Sequence, residues 1–139
     1  MSSRMTEISI DCADPERLAT FWCGVLGYEV LDAEDGLVEI GPAGRPDAEL
    51  LDAVRRGPVP PTIFLCRVPE PKQGKNRLHF DVSPVDVAQA EEVARIEALG
   101  ATRADIGQTG AESWVVLADP EGNEFCVLRS LAPGEFSLG

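Results

Sequence analysis

One strand–helix plan is written twice in this chain of 139 residues, and the repetition constrains the fold more than any other feature. Ile8-Ser9-Ile10-Asp11 leads through Asp14-Pro15-Glu16 into an apolar helical stretch that stops at Leu26-Gly27. Leu78-His79-Phe80-Asp81 leads through Ser83-Pro84 into a second stretch, which stops at Leu99-Gly100. Each unit is an alternating strand, a Pro-marked entry, an amphipathic helix and a Gly exit, followed by further strands. Neither half can close a core alone. The expected architecture is therefore α+β: two paired βαβββ modules forming a cleft between curved mixed sheets. The whole of 1–139 reads as one domain made of module 5–68 and module 76–129, and such a cleft is where small molecules bind.

Residues 6–11 alternate in the manner of a strand, with Thr6, Ile8 and Ile10 on one face and Glu7, Ser9 and Asp11 on the other. Asp14 fits an N-cap with Pro15 at the first helical position. Leu18, Phe21, Trp22, Val25 and Leu26 then form one apolar stripe, which places Trp22 in the core. Residues 28–31 and 37–40 read as a hairpin around Glu34-Asp35-Gly36. Residues 41–61 are a Pro/Gly-bounded interruption, with a short helix expected over 47–56, that would serve as a lid or as a contact with a second chain. Residues 62–68 form the fourth strand and 69–75 an extended connector. In the second half the pattern predicts a strand over 77–82, a helix over 85–99, strands over 102–106 and 113–118, and a final strand over 124–128. The turn Asp119-Pro120-Glu121-Gly122-Asn123 precedes that last strand, and the tail from 130 to 139 reads as loosely held.

A net charge of −12 excludes nucleic acid as a partner, because phosphate binding needs a basic surface. No run of 18 apolar residues and no apolar leader follows Met1, so no membrane association is expected and the location reads as cytoplasmic. Lys72, Lys75 and Arg77 form a local positive island in this acidic chain, either solvating a connector or drawing an anionic ligand. Cys12, Cys23, Cys66 and Cys126 show no CxxC spacing and read as free thiols.

His79 is the only histidine, so any imidazole chemistry rests on it. In the predicted strand Leu78, Phe80 and Val82 face the helix, which leaves Arg77, His79 and Asp81 on the opposite face. Counting back from the two helix-stop glycines pairs His79 with Glu7, whereas aligning Asp11 with Asp81 pairs it with Ser9. The last strands of the halves place Cys66 and Cys126 at matching positions, with Glu124 on the face of Cys126. A site on these strands would draw on Glu7, Cys66, His79, Cys126 and Glu124, donors that suit a divalent metal, zinc most naturally. The plainer reading of His79 is a hydrogen-bonded side chain with no chemical role. Trp114 is placed beside Val116, either facing the cleft as a flat surface for a planar ligand or turned away from it.

The paired βαβββ plan, Asp14-Pro15-Glu16-Arg17-Leu18-Ala19 with Phe21-Trp22, Asn76-Arg77-Leu78-His79-Phe80-Asp81, and Asp119-Pro120-Glu121-Gly122-Asn123-Glu124-Phe125-Cys126 resemble the vicinal oxygen chelate superfamily. The similarity lies with its glyoxalase-like branch, beside the bleomycin-resistance proteins and extradiol dioxygenases, and covers nearly all of residues 5–129. It implies the glyoxalase/bleomycin resistance fold, a homodimer, a small-molecule ligand, and lyase, isomerase or dioxygenase chemistry assisted by Zn, Fe, Mn or Ni. Carried over by position, Glu7, His79 and Cys126 are the implied metal ligands, and His79 and Glu124 the implied catalytic pair. Ser9, Cys66, Arg77 and Trp114 line the implied substrate pocket. The late ligands of metal-dependent members are carboxylates, and here Cys66 and Cys126 stand in their place. That departure leaves two readings: an altered metal site in an enzyme, or a metal-free protein that sequesters a small molecule.

Overall fold

The computed structural model describes residues 2–44 and 46–135. The chain divides into two compact units, Met1–Pro71 and Lys72–Gly139.

In the first unit the order is β1 (Glu7–Cys12), α1 (Pro15–Leu26), β2 (Glu29–Glu34), β3 (Leu37–Gly41), α2 (Asp47–Arg56) and β4 (Thr62–Arg67). Its sheet runs β1-β4-β3-β2, with β1 parallel to β4 and the other neighbours antiparallel. Helix α1 begins where the sequence predicts, because the Asp14 carboxylate accepts the Arg17 N–H at 3.2 Å and Pro15 needs no partner for a missing donor. It ends at Gly27, whose φ of +68° is open to glycine at little cost. Leu18, Ala19, Phe21 and Trp22 of α1 are buried, as are Val38, Ile40, Ile63 and Leu65 on one face of β3 and β4. Trp22 is the largest of these, and Phe21 meets it edge-on at 5.2 Å between ring centres. Glu7, Ser9 and Asp11 are exposed while Ile8 and Ile10 are more enclosed, which is the predicted alternation. Helix α2 buries no residue; the Arg4 guanidinium reaches its last turn and donates to the Val54 carbonyl at 2.9 Å.

In the second unit the order is β5 (Asp81–Val82), α3 (Gln89–Leu99), β6 (Thr102–Arg103), β7 (Val115–Ala118) and β8 (Glu124–Val127). The sheet runs β5-β8-β7-β6, again with its first pair parallel and the rest antiparallel. Thus both units carry the βαβββ plan with the same strand order. Leu117, Phe125 and Val127 are buried, and so are Val93 and Ile96 of α3. The predicted turn is built around Asp119, whose buried carboxylate accepts the N–H groups of Glu121 at 2.9 Å and Asn123 at 3.0 Å.

Several boundaries differ from expectation. The strand predicted over 77–82 is regular only at Asp81–Val82, and Leu78, expected to face the helix, is 88% exposed. Among the described residues nothing covers Leu78, so the apolar alternation there has no packing to enforce it. The helix predicted from 85 begins at Gln89, because carbonyls that would have accepted its first intrahelical bonds are taken elsewhere. Leu131 donates its N–H to the Pro84 carbonyl at 2.8 Å and the Ser130 hydroxyl to the Val87 carbonyl at 2.5 Å. The same contacts correct the loosely held tail: Ser130 and Ala132 are buried, while 136–139 lie outside the described residues. The strand expected over 102–106 shortens to Thr102–Arg103, and that over 113–118 starts at Val115, leaving Trp114 outside the ladder.

Candidate functional site

His79 lies just ahead of β5, two residues from Asp81 and on the same side of the chain. Its Nδ1 is 3.1 Å from Asp81 Oδ1. Asp81 in turn is the register partner of Cys126 across the parallel β5–β8 pair. Adjacent residues in register project to one face of a sheet, so imidazole, carboxylate and thiol converge. Their candidate donor atoms all lie within 4.8 Å of one another. His79 and Asp81 are exposed and Cys126 is buried. Burial pushes the Cys126 thiol up from its ordinary range, and the charge of Asp81 and a hydrogen bond to it push the same way. Cys126 therefore sits protonated at neutral pH and donates to a carboxylate that also faces His79.

Glu124 begins β8 on the same face, two residues before Cys126. The Asn76 N–H donates to its carboxylate at 3.3 Å, and the Lys72 ammonium lies 3.6 Å away. Burial acts to raise Glu124, but N–H groups of Glu124 and Asn76 and the charges of Lys72 and Lys75 outweigh it, and the net shift is downward. The group stays ionised, and it ties the 72–76 segment to β8. The positive island of the sequence is thus partly spent on this internal anchor.

The remaining expected site residues fall as follows. Arg77 is exposed in the segment before β5, and Trp114 is 43% exposed just before β7. Glu7 and Ser9 project from the exposed face of β1, and Cys66 lies in β4 of the same unit. Register also resolves how the halves correspond. Asp11 pairs with Cys66 and Asp81 with Cys126, so Ser9 occupies the position that matches His79, and Glu7 the one that matches Arg77. Sequence reasoning placed Asp81 on the face of His79 but missed it as a potential ligand. The signal was the i, i+2 spacing itself.

The donor set fits a metal ion on its chemistry. Imidazole, carboxylate and thiolate are the ordinary ligands of zinc, and two donors on one tetrahedral zinc sit roughly 3.3–3.8 Å apart. Three protein ligands leave one coordination position for a reacting molecule.

Residues 7–128 match the sequence profile of the Glyoxalase-like domain family, and the chain belongs to that family. Solved structures share the fold at low identity. A glyoxalase/bleomycin resistance protein/dioxygenase family enzyme from Burkholderia phytofirmans is 19% identical, with a TM-score of 0.60 over 90% of this chain and 97% of the other. A mutant fosfomycin resistance protein, FosX, from Listeria monocytogenes, complexed with Mn(II) and dihydroxypropylphosphonic acid, is 15% identical, with a TM-score of 0.62 over 94% of this chain and 92% of that one. FosX from Mesorhizobium loti is 12% identical, with a TM-score of 0.64 over 92% of each chain. Comparison with curated proteins finds no match. Among the described residues no helix is long and apolar enough to cross a membrane.

Proposed function

We propose that this glyoxalase-like protein is a metal-assisted enzyme of lyase, isomerase or dioxygenase type acting on a small molecule with neighbouring oxygen atoms. The observation that carries this reading is the meeting of His79, Asp81 and Cys126 donor atoms within 4.8 Å. These three residues would hold a divalent ion: zinc for lyase or isomerase chemistry, and redox-active iron or manganese for dioxygenase chemistry, because zinc does not change oxidation state. When bound, the ion would polarise the oxygens of the ligand as a Lewis acid. Asp81 lies against His79 Nδ1 at 3.1 Å and would fix the imidazole, and His79 would serve as ligand or as proton carrier. Glu124, kept anionic by Lys72 and Asn76, would position the connector that forms one rim. A FosX relative that carries Mn(II) and a small oxygen-rich ligand on the same fold supports the class of reading, at 15% identity. Assembly as a homodimer belongs to the same proposal and is checked by sedimentation.

A second reading has its own support. The Cys126 thiol is held protonated and donates to Asp81, so the cluster is satisfied without an ion. On that reading the protein binds its small molecule metal-free. Elemental analysis after dialysis against zinc, iron, manganese or nickel separates the two. One equivalent of ion bound by the native protein, and lost in Asp81→Asn and Cys126→Ser, is the expected result. No ion retained at micromolar concentration would sink the enzyme reading in favour of the binder.

A further inference from the structure

The tip of the β2–β3 hairpin carries a chemically reactive pair. Asp35-Gly36 is the only place in the 139 residues where an aspartate or asparagine precedes a glycine. The carboxyl of an aspartate is open to attack by the backbone nitrogen of the next residue. A following glycine has no Cβ to shield that nitrogen, and it leaves the chain freest to turn onto it.

The turn leaves both reacting groups accessible. The Asp35 side chain is 98% exposed. Gly36 has a φ of +79°, whereas Asp35 lacks the positive φ that the favoured Asp-Gly hairpin turn gives to both residues. Among the described residues the Gly36 N–H meets no hydrogen-bond partner, and only the Gly36 carbonyl is held, by the Arg67 N–H at 2.9 Å. Strand β2 is the last of its sheet and all 6 of its residues are exposed, so little packing resists a change at its end.

The Arg67 side chain closes over this tip. Its Nη1 donates to Asp35 Oδ1 at 2.9 Å, and its Nη2 lies 3.5 Å from Glu16 Oε2. A Cβ on Gly36 would stand 3.6 Å from Arg67 Cβ and 3.7 Å from Nη1, so the guanidinium sits beside both partners of the reaction. Ring closure expels one carboxyl oxygen as water. A guanidinium bonded to Oδ1 favours the anion and fixes the rotamer, and so opposes closure.

We propose that Asp35-Gly36 is an isoaspartate-forming site and that Arg67 sets its rate. The Gly36 nitrogen attacks Asp35 Cγ, and its proton leaves with the carboxyl hydroxyl as water, closing a cyclic imide. Water then adds to either imide carbonyl. Opening at Cγ restores aspartate. Opening at the main-chain carbonyl of Asp35 routes the backbone through the side chain and lengthens it by a methylene. That product bears a free α-carboxylate at the hairpin tip, the group that an isoaspartyl methyltransferase esterifies with S-adenosylmethionine. No part of this chemistry involves His79, so its failure would leave the proposed function standing.

Asp32 is the internal control. It is exposed and its carboxylate accepts the Ala33 N–H at 3.0 Å, but Ala33 bears a Cβ and is paired with Val38 in the ladder. The full chain is incubated for weeks in heavy-oxygen water at neutral pH and mapped by electron-transfer fragmentation, which tells isoaspartate from aspartate. Isoaspartate carrying solvent oxygen is expected at Asp35 and not at Asp32, and the methyltransferase should methylate the aged protein. Arg67→Met should accumulate the product several-fold faster, and Arg67→Gln serves if circular dichroism shows the first variant misfolded. Asp35→Glu should abolish methylation. Conversion at Asp35 no faster than at Asp32, a rate unmoved by loss of the guanidinium, or methylation that survives Asp35→Glu each overturns the proposal.

Discussion

Asp81 and Cys126 face each other across the parallel β5–β8 pair, and the carboxylate accepts from the thiol while also meeting His79 Nδ1 at 3.1 Å. One short strand of two residues therefore carries the group on which the candidate site turns.

Replacing Asp81 by Asn keeps the shape and removes the charge. Burial, the largest cause raising the Cys126 thiol, remains, but the contribution of Asp81 disappears. A thiol whose pKa falls holds more thiolate at any given pH, so Cys126 in Asp81→Asn should be alkylated by iodoacetamide several-fold faster at mildly alkaline pH. Peptide mapping over time gives the rate for each of the four cysteines separately. An unchanged rate at Cys126 would show that the carboxylate does not govern it.

Gly41→Ala should destabilise the first unit by about 1–3 kcal/mol, the usual cost of forcing a methyl group into a packed site. Gly41 has no positive φ, so the cost is steric and not a backbone effect. Leu31→Ala in the same chain should recover a large part of it by removing the closest obstacle. Urea midpoints of both single variants and the double variant complete the cycle, and additive losses would argue that the two residues do not compete for space.

Ser130→Ala should lower stability by about 1–2 kcal/mol. The buried hydroxyl donates to the Val87 carbonyl and accepts from the Ala132 N–H at 3.0 Å, so its removal leaves two enclosed groups unpaired. Chemical denaturation monitored by far-ultraviolet dichroism measures the change. A variant as stable as the parent would mean that water replaces the hydroxyl.

Glu112 holds the 109–112 loop by accepting the N–H groups of Thr109 and Gly110, each at 2.8 Å. Those bonds keep its carboxyl below the usual range. Its folded pKa is depressed, so the loop's support is complete above the ordinary carboxylate pKa and is lost as pH falls through the lower folded one. Amide resonances of Thr109 and Gly110 should therefore titrate together below pH 4.5, the reference value for the side chain. Glu112→Gln should abolish that common transition, and a transition that persists would assign it to another acid.

The repeat made the fold readable because each half carries its own local signals. Asp14-Pro15 and Gly27 delimit α1, Asp35-Gly36 turns the hairpin, and Asp119 organises the last turn, all through bonds within a few residues. What escaped the sequence was decided at long range. Residues 77–80 carry strand alternation yet leave Leu78 in solvent, and α3 starts late because Leu131 and Ser130 occupy the Pro84 and Val87 carbonyls. The site was legible to the same degree. His79 with Cys126 followed from matching the halves. Asp81 as their shared partner needed the β5–β8 register, which no residue type announces.

The clasp of residues 128–132 over the entry to α3 bears on the order in which the chain matures. Strand β4 completes the first sheet at Arg67, so every strand of that sheet is made before synthesis reaches the second sheet. The second unit must wait for β8 and for Ser130, both made well after the helix they complete. A product that stalls before β8 would carry a completed first sheet joined to a β5 with no partner.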